Sequence, residues 1–181
     1  MRHQLYSAPT SRVVSGNVIY TVGYGREDFA HLNQRLKGFG ILHLIDVRTS
    51  PYSRYQAEFR PGVIDRCCEE AGLLYSYRGD VLGGKPSRPE LQTDGKADWS
   101  KIRAWRTFQT AVGEVIRLAD AGPIALLCGC EWASKCHRGG LLSPALEEKG
   151  IHVRHIGMDG VARTLEEEIA HQNGGQLGFG F

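Results

Sequence analysis

The chain has 181 residues, of which 41% are hydrophobic and 23% are charged, as is typical of a globular domain. At about 100–200 residues per domain this length predicts one domain, and the composition excludes disordered and fibrous proteins. Twenty-two basic and 20 acidic residues give a net charge of +2, too small for a general duplex-DNA-binding surface, although a local basic pocket stays open.

Cellular location is indicated by the apolar runs and the cysteines. The longest apolar run, Ile124–Cys128, is far shorter than the roughly 18 residues that cross a bilayer, so we expect no membrane span. Residues 1–16 lack the apolar core of a secretory signal, which predicts a cytoplasmic protein. Five cysteines, an odd number that includes the adjacent Cys67 and Cys68, suit free thiols in a reducing compartment.

In the first half of the chain, β-branched and apolar runs alternate with helical spacing. The pattern predicts strands at residues 17–22, 41–47 and 73–77, and helices at 27–37 and 63–71. Polar loops follow the second and third strands. The loop at 78–100 is longer than the about 12–15 residues of an ordinary connection, so we expect it to be functional or disordered.

In the second half, apolar residues spaced about 3.6 apart predict a helix at 101–121, with Trp105 and Phe108 in the core. Strands are predicted at 124–128 and 151–156. A helix from 135 to 150 should kink or break near Leu142, because it contains two glycines and Pro144. A last helix is predicted at 161–171, with residues 166–168 on a solvated face.

This alternation of strands and helices predicts a single α/β domain. We expect a mainly parallel sheet of about five strands with helices on both faces. The domain should cover residues 17–172, between a flexible segment at 1–16 and a flexible Gly-rich tail at 173–181.

Ligands of parallel α/β sheets bind beyond the carboxyl ends of the strands. Four unusual segments follow predicted strands: 23–25, 46–54, 82–84 and 128–138. Because the topology would bring all four together, we expect the functional site there.

The motifs of these segments resemble a known family. Thr21-Val-Gly-Tyr-Gly25, Asp46-Val-Arg-Thr-Ser-Pro-Tyr-Ser-Arg54, Leu82-Gly-Gly84, Leu126-Leu-Cys128 and Cys136-His-Arg138 together resemble the DUF488 family of bacterial and archaeal proteins. The resemblance runs from about Ile19 to Ile156. It implies a single α/β domain and no particular reaction, and it marks as motif residues Asp46, Arg48, Pro51, Ser53, Arg54, Gly83, Gly84, Cys128, Cys136, His137 and Arg138.

The sequence departs from the family pattern in two places. Many members resemble Cys-Ala-Glu after the fourth strand, whereas this chain has Cys128-Gly-Cys-Glu131. Pro144 interrupts the helix that follows.

An anion-binding pocket is the leading prediction for the site. Ser134 would cap a helix that starts near Cys136, and its free amides and dipole would attract an anion and favour thiolate at Cys136. Arg48, Arg54 and Arg138 would complete a cage for phosphate, sulfate or carboxylate. In the structural alternative, the arginines pair with Asp46 and Glu131. The substrate-binding candidates are Tyr24, Asp46, Arg48, Ser53, Arg54, Gly83, Gly84 and Arg138.

Three functions follow from these residues. The first is an enzyme that acts on a small, phosphate-bearing anion, with Cys136 or Cys128 as nucleophile and His137 as base; His155 is an alternative base. The second is a binding module without catalysis that recognises a nucleotide or nucleic-acid phosphates. The third is a metal or redox site formed by Cys128, Cys130, Cys136 and His137, whose spacing differs from ordinary zinc motifs. The glycines match neither a P-loop nor a dinucleotide fingerprint, so neither of these cofactor sites is supported. The cofactor and the oligomeric state stay open.

Overall fold

The computed structural model describes residues 17–174. The predicted flexible segment at 1–16 and the tail from residue 175 onward lie outside the described residues. The proposed domain boundaries therefore stay predictions. No helix in residues 17–174 has both the length and the apolar character needed to cross a bilayer.

The strands form where the sequence is apolar or β-branched. Those of the described chain are β1 Val18–Gly23, β2 His43–Asp46, β3 Leu74–Tyr77, β4 Gln92–Thr93, β5 Lys96–Ala97, β6 Ile124–Cys128, β7 His152–Ile156 and β8 Ala162–Arg163. The α-helices between them are α1 Phe29–Gly38, α2 Val63–Ala71, α3 Gly79–Leu82, α4 Trp99–Ala104, α5 Arg106–Asp120, α6 Ser143–Glu147 and α7 Leu165–Gln172.

Six strands form one sheet in the order β3-β2-β6-β1-β7-β8. The first five in this order are parallel, which confirms the predicted fold class, and β8 adds a short antiparallel edge to β7. Strand β6 lies between β1 and β2, so that Gly23 pairs with Cys128 and Asp46 with Leu127. The carboxyl ends of β1, β2 and β6 are therefore neighbours.

Helices cover both faces of the sheet, each over its own apolar core. On one face, α1 and α2 pack with Val22, Leu44 and Phe59. On the other, α4, α5 and α6 pack with Ile19, Ile45 and Leu126. Cys68 is buried in the first core and Cys67 packs against it, which confirms the packing role predicted for this pair.

The predicted helix at 101–121 is wrong as a single element. The chain is extended at Trp105, with φ −70° and ψ 123°, so that α4 ends and α5 begins there. Apolar periodicity runs through the break because both helices face the same core. Phe108 is buried, and Trp105 packs at the edge of the core, under the guanidinium of Arg88.

The predicted break near Leu142 is confirmed. A 3₁₀ turn covers Ala133–Lys135, a π-helical turn covers Arg138–Leu142, and α6 follows with Pro144 in its first turn. The long loop at 78–100 contains α3, a 3₁₀ turn at Pro89–Leu91 and the β4-β5 hairpin, so it is ordered. The short strands β4, β5 and β8 were not predicted.

Candidate active site

A cavity of about 620 Å³ lies at the carboxyl ends of β1, β2 and β6. Its wall includes Cys128, Cys130, Cys136 and His137 from the segment after β6. The other three predicted segments also line the cavity, through Tyr24, Arg48 and Gly84. The convergence expected from the sequence thus occurs around one cavity, and its volume lies within the range of small-molecule sites.

A cluster of sulfur and imidazole groups forms part of this wall. The Sγ atoms of Cys128, Cys130 and Cys136 all lie within 4.8 Å of one another. The Nδ1 atom of His137 is 3.5 Å from the Sγ of Cys136 and 3.9 Å from that of Cys128. We call these four residues the thiol cluster. Cys136 and His137 are neighbours in sequence, and the extended backbone at Cys136 allows both side chains to meet.

The imidazole of His137 is held from its other side. Its Nε2 atom lies 3.0 Å from the carbonyl oxygen of Val47, at the end of β2. A carbonyl only accepts hydrogen bonds, so Nε2 carries the proton and donates. In the neutral ring, Nδ1 then presents its lone pair to the thiols. A thiol, a basic ring nitrogen and a carbonyl that orients the ring therefore lie together, which is a geometry that nucleophilic catalysis can use.

Electrostatics distinguish the three thiols. Hydrogen bonds from Cys128 and Cys130, together with His137 and Arg138, lower the pKa of Cys136 far below the usual thiol value. Hydrogen bonding within the cluster and burial raise the pKa of Cys128. Burial alone would lower the pKa of His137, but its bonds to the sulfurs raise it to about 9. The cluster therefore favours a thiolate at Cys136 beside an imidazolium at His137.

Arg48 is committed to a buried ion pair. Its Nε and Nη2 atoms donate to the two carboxylate oxygens of Asp46, at 2.9 and 2.6 Å. Nη1 donates to the hydroxyl of Tyr24, and the hydroxyl of Tyr75 donates to Asp46. Since Asp46 neutralises the guanidinium, Arg48 shapes the cavity wall but brings little net charge to it.

Arg138 donates hydrogen bonds mainly to backbone carbonyls. It is fully buried, and its guanidinium donates to the carbonyls of Cys130 and Glu131 and to the Thr21 hydroxyl. Arg54 is exposed and does not line the cavity. The structure therefore does not bring the three predicted arginines together as a cage. It agrees with the alternative of pairing for Arg48 and Asp46, whereas Glu131 contributes its carbonyl to Arg138 in place of its carboxylate.

Glycines allow the loops to approach one another. A Cβ on Gly84 would lie 2.4 Å from the Cβ of His137, and one on Gly83 would lie 2.3 Å from the carbonyl oxygen of Gly79. A Cβ on Gly23 would lie 1.8 Å from the carbonyl oxygen of Cys130. Real Cβ contacts are not that short, so these positions require glycine for close packing around the thiol cluster.

The helical turn starts just after Cys136, near the predicted position, but the predicted cap at Ser134 is wrong. Cys136 itself occupies the cap position: its backbone is extended, and its carbonyl accepts from the amides of Gly139 and Gly140. The amides of Ala133 and Ser134 donate instead to the carboxylate of Glu168, at 3.1 and 2.8 Å. Glu168 is buried, so its predicted place on a solvated face is also wrong.

Replacing Glu168 with alanine should lower the free energy of unfolding by about 2–4 kcal/mol, because two amides lose their acceptor. Glutamine, which keeps one acceptor oxygen, should cost about half as much. Urea denaturation measures both. The matched control is Glu166→Ala in the same helical turn, where the side chain is exposed and the expected change is within about 0.5 kcal/mol. Equal effects at the two positions would contradict this role of Glu168.

The thiol cluster also has donors that suit a metal ion. In a tetrahedral zinc site, bonds of about 2.3 Å to sulfur and 2.0–2.1 Å to nitrogen place these atoms about 3.5 Å apart, close to the separations from Nδ1. A histidine bound to a metal usually donates its other N–H to a carbonyl or carboxylate, as His137 does to Val47.

The comparison with protein families decides which family the chain represents. The model described as "Domain of unknown function DUF488" matches residues 29–143, more than half of the chain. The chain belongs to the DUF488 family. The match is shorter than the span from Ile19 to Ile156 expected from the motifs. No curated protein and no solved structure matches the chain.

In this DUF488 protein, the predicted catalytic residues Cys128, Cys136 and His137 all line the cavity. Of the predicted substrate-binding residues, Tyr24, Arg48 and Gly84 line it as well. Those outside the lining are Asp46, Ser53, Arg54, Gly83 and Arg138.

Two candidates outside the lining have clear structural roles. Ser53 bonds to Gln56, whose side chain donates to the carbonyl of Gly25. The alternative base His155 is buried beside Thr21, 2.7 Å from its hydroxyl, and does not line the cavity. Burial and the charge of Arg138 lower the pKa of His155 to about 4.

Two residues that were not predicted, Lys85 from the long loop and Trp99 from the start of α4, also line the cavity of this DUF488 protein. One signal was available for Trp99. Asp98 is a good N-cap residue, and its carboxylate accepts from the amides of Ser100 and Lys101. A helix start at residue 99 was therefore detectable, although the place of the indole was not.

Proposed function

We propose that this protein is a thiol-dependent hydrolase or transferase in which Cys136 is the nucleophile and His137 the base. The observation that carries the proposal is the position of the His137 ring. Its Nε2 is fixed by the Val47 carbonyl, while its Nδ1 faces the Sγ of Cys136 at 3.5 Å on a cavity wall. A fixed base beside a cysteine is the arrangement that nucleophilic catalysis requires.

The chemical step transfers one group. The Sγ of Cys136 attacks an electrophilic carbon or phosphorus atom of the substrate, and the thiol proton is held on Nδ1 of His137. The bond to the leaving group breaks, and the imidazolium returns the proton to that group. Water or a second substrate then cleaves the covalent intermediate and restores the thiol. Cys128 and Cys130 lie close enough to stabilise the thiolate as donors.

The cytoplasm would suit this chemistry. All five cysteines of the chain are free thiols, and a reducing compartment keeps such thiols from forming disulfides. The proposed substrate is a small anion, as the sequence indicated. Its anionic part would meet the cationic groups of the cavity wall rather than a three-arginine cage.

The experiment uses 4-nitrophenyl acetate as an electrophilic probe, with rapid quenching and mass spectrometry. We expect one acetyl group on Cys136 and release of nitrophenolate. Cys136→Ser should abolish the adduct, while Cys67→Ser, which changes a thiol outside the cavity, should not affect it. Acetylation of Cys130 first, with Cys136 unmodified, would overturn the assignment of the nucleophile.

A second candidate is a zinc centre formed by the four residues of the thiol cluster, which the sulfur and nitrogen separations favour. Cys130→Ser discriminates between the two functions, because it removes one donor but leaves Cys136 and His137 in place. Stoichiometric zinc in the isolated wild type, lost in this variant, would establish the metal centre. Such bound zinc would also argue against Cys136 as a nucleophile, because the metal would occupy its thiolate.

A further inference from the structure

A second cavity adjoins the first. It has a volume of about 550 Å³ and shares Gly84, Lys85 and Trp99 with the cavity of the thiol cluster. Its remaining wall comes from the loop at 86–97, including Gln92 and Lys96. The two cavities thus form one cleft with Trp99 at their boundary, and together they offer more volume than a single small anion requires.

The indole of Trp99 is fixed at this boundary. Its Nε1 donates to the carbonyl of Gly84 at 3.3 Å. The Cζ3 edge of the ring meets the backbone of Gly140, where a Cβ would be 2.0 Å from the indole. The side chain is nevertheless 37% exposed. An aromatic ring that is held in place and open to a cavity can stack on a planar ligand with little loss of side-chain entropy.

The cleft is lined by basic side chains and by no acidic side chain of the described residues. Lys85 lines both cavities and Lys96 lines the second, whereas no Asp or Glu lies in the wall formed by the described residues. Within residues 17–174, neither ammonium group is paired with a carboxylate. The nearby Asp98 is occupied in capping α4. These two lysines, unlike Arg48, leave positive charge available to a ligand.

We propose that the cleft binds a nucleoside phosphate, with its base stacked on Trp99 and its phosphate between Lys85 and Lys96. A planar ring and an anionic group at opposite ends match the aromatic boundary and the cationic second cavity. Only the placement of the reacting group near Cys136 rests on the proposed function. A free nucleotide and the phosphorylated end of a nucleic-acid strand share this chemistry.

The test is calorimetric titration of the protein with AMP, adenosine and inorganic phosphate, and with a 5′-phosphorylated tetranucleotide. AMP should bind at least tenfold more tightly than adenosine or phosphate. Trp99→Ala should weaken AMP binding about five- to hundredfold, since stacking on an aromatic side chain contributes about 1–3 kcal/mol. Trp99→Phe, which keeps a ring, should restore most of the affinity. Tighter binding of the tetranucleotide than of AMP would identify a strand end as the ligand.

Substitution of the two lysines tests the contribution of positive charge to AMP binding. The double variant Lys85→Ala/Lys96→Ala should weaken AMP binding and leave adenosine unaffected, and the exposed Lys149→Ala is the matched control. Equal affinity of AMP for wild type and Trp99→Ala, or no AMP binding at millimolar concentration, would overturn the proposal. AMP binding, followed by titration, and acetylation of Cys136, followed by mass spectrometry, are separate readouts on the wild-type protein. A failure of nucleotide binding is thus distinguishable from a failure of Cys136 to take up the acetyl probe.

Discussion

Changing His137 to glutamine should slow alkylation of Cys136 by iodoacetamide about ten- to hundredfold at pH 6. Glutamine keeps an N–H group that can reach the Val47 carbonyl but cannot hold a positive charge. An opposite charge within about 4–6 Å shifts a pKa by about 1–3 units, so loss of the imidazolium should raise the pKa of Cys136 by that order. The thiolate fraction at pH 6, and with it the alkylation rate, falls accordingly.

The pH dependence has a defined sign. The pKa of His137 is raised to about 9, so its imidazolium is present below that pH and is lost above it. The pKa of Cys136 is lowered, so the wild-type rate should change little between pH 6 and 8. The difference in the alkylation rate of Cys136 between wild type and His137→Gln should therefore be largest at low pH. It should disappear above about pH 9.

Cys130 is the internal control for this measurement. It is exposed; its hydrogen bond with Cys128 lowers its pKa, but the hydrogen bond with Cys136 and burial outweigh this and raise it. Its alkylation should therefore fall about tenfold per pH unit on acidification. Peptide mass mapping reports both sites in one sample. Parallel rate profiles for Cys136 in wild type and variant would contradict an ion pair with His137.

Changing Arg138 to alanine should lower the free energy of unfolding by about 3–4 kcal/mol. Two carbonyls in the loop after β6 lose charged donors, and the volume of a fully buried side chain is emptied. For a chain of this size, the melting temperature should fall by about 6–16 °C. Urea denaturation and thermal melting both measure the effect.

The matched control is Arg154→Ala on the neighbouring strand β7. Arg154 is partly exposed and pairs with Glu167, so its loss should cost about 1 kcal/mol or less. The loss of stability in Arg138→Lys should lie between those of Arg138→Ala and Arg154→Ala. A single ammonium group cannot donate to three acceptors in the geometry of a guanidinium. A melting temperature for Arg138→Ala within 2–3 °C of the wild type would show that the loop does not depend on this side chain.

The sequence was sufficient to predict the sheet and the side of it on which the site lies. Strands such as Ile124–Cys128 are continuous apolar runs, as is typical of central parallel strands, and the motifs follow their carboxyl ends. Strand β8 has two residues, too few to show any periodicity. The break at Trp105 depends on tertiary packing, which local apolar spacing does not register.

Partners of charged residues were much harder to predict. Arg48 and Arg138 have the residue type of an anion site, but their acceptors come from strands and loops that only the fold brings near. Glu168 resembles its two acidic neighbours in sequence, yet it alone faces the loop at 133–134. Side chains of adjacent residues on a helix diverge, so Cys136 and His137 would not meet within one. They meet because Cys136 precedes the helical turn.

The hydrogen bonds from Ala133 and Ser134 to Glu168 also determine when the site is completed during synthesis. Glu168 is made 35 residues after Ala133, so a growing chain that has released β7 still lacks the acceptor for these amides. The segment that carries Cys136 gains these two hydrogen bonds only after α7 has left the ribosome and docked. A protease that removed this last helix would disturb the thiol cluster without cutting near it. These two contacts to the segment that carries Cys136 therefore form late in synthesis.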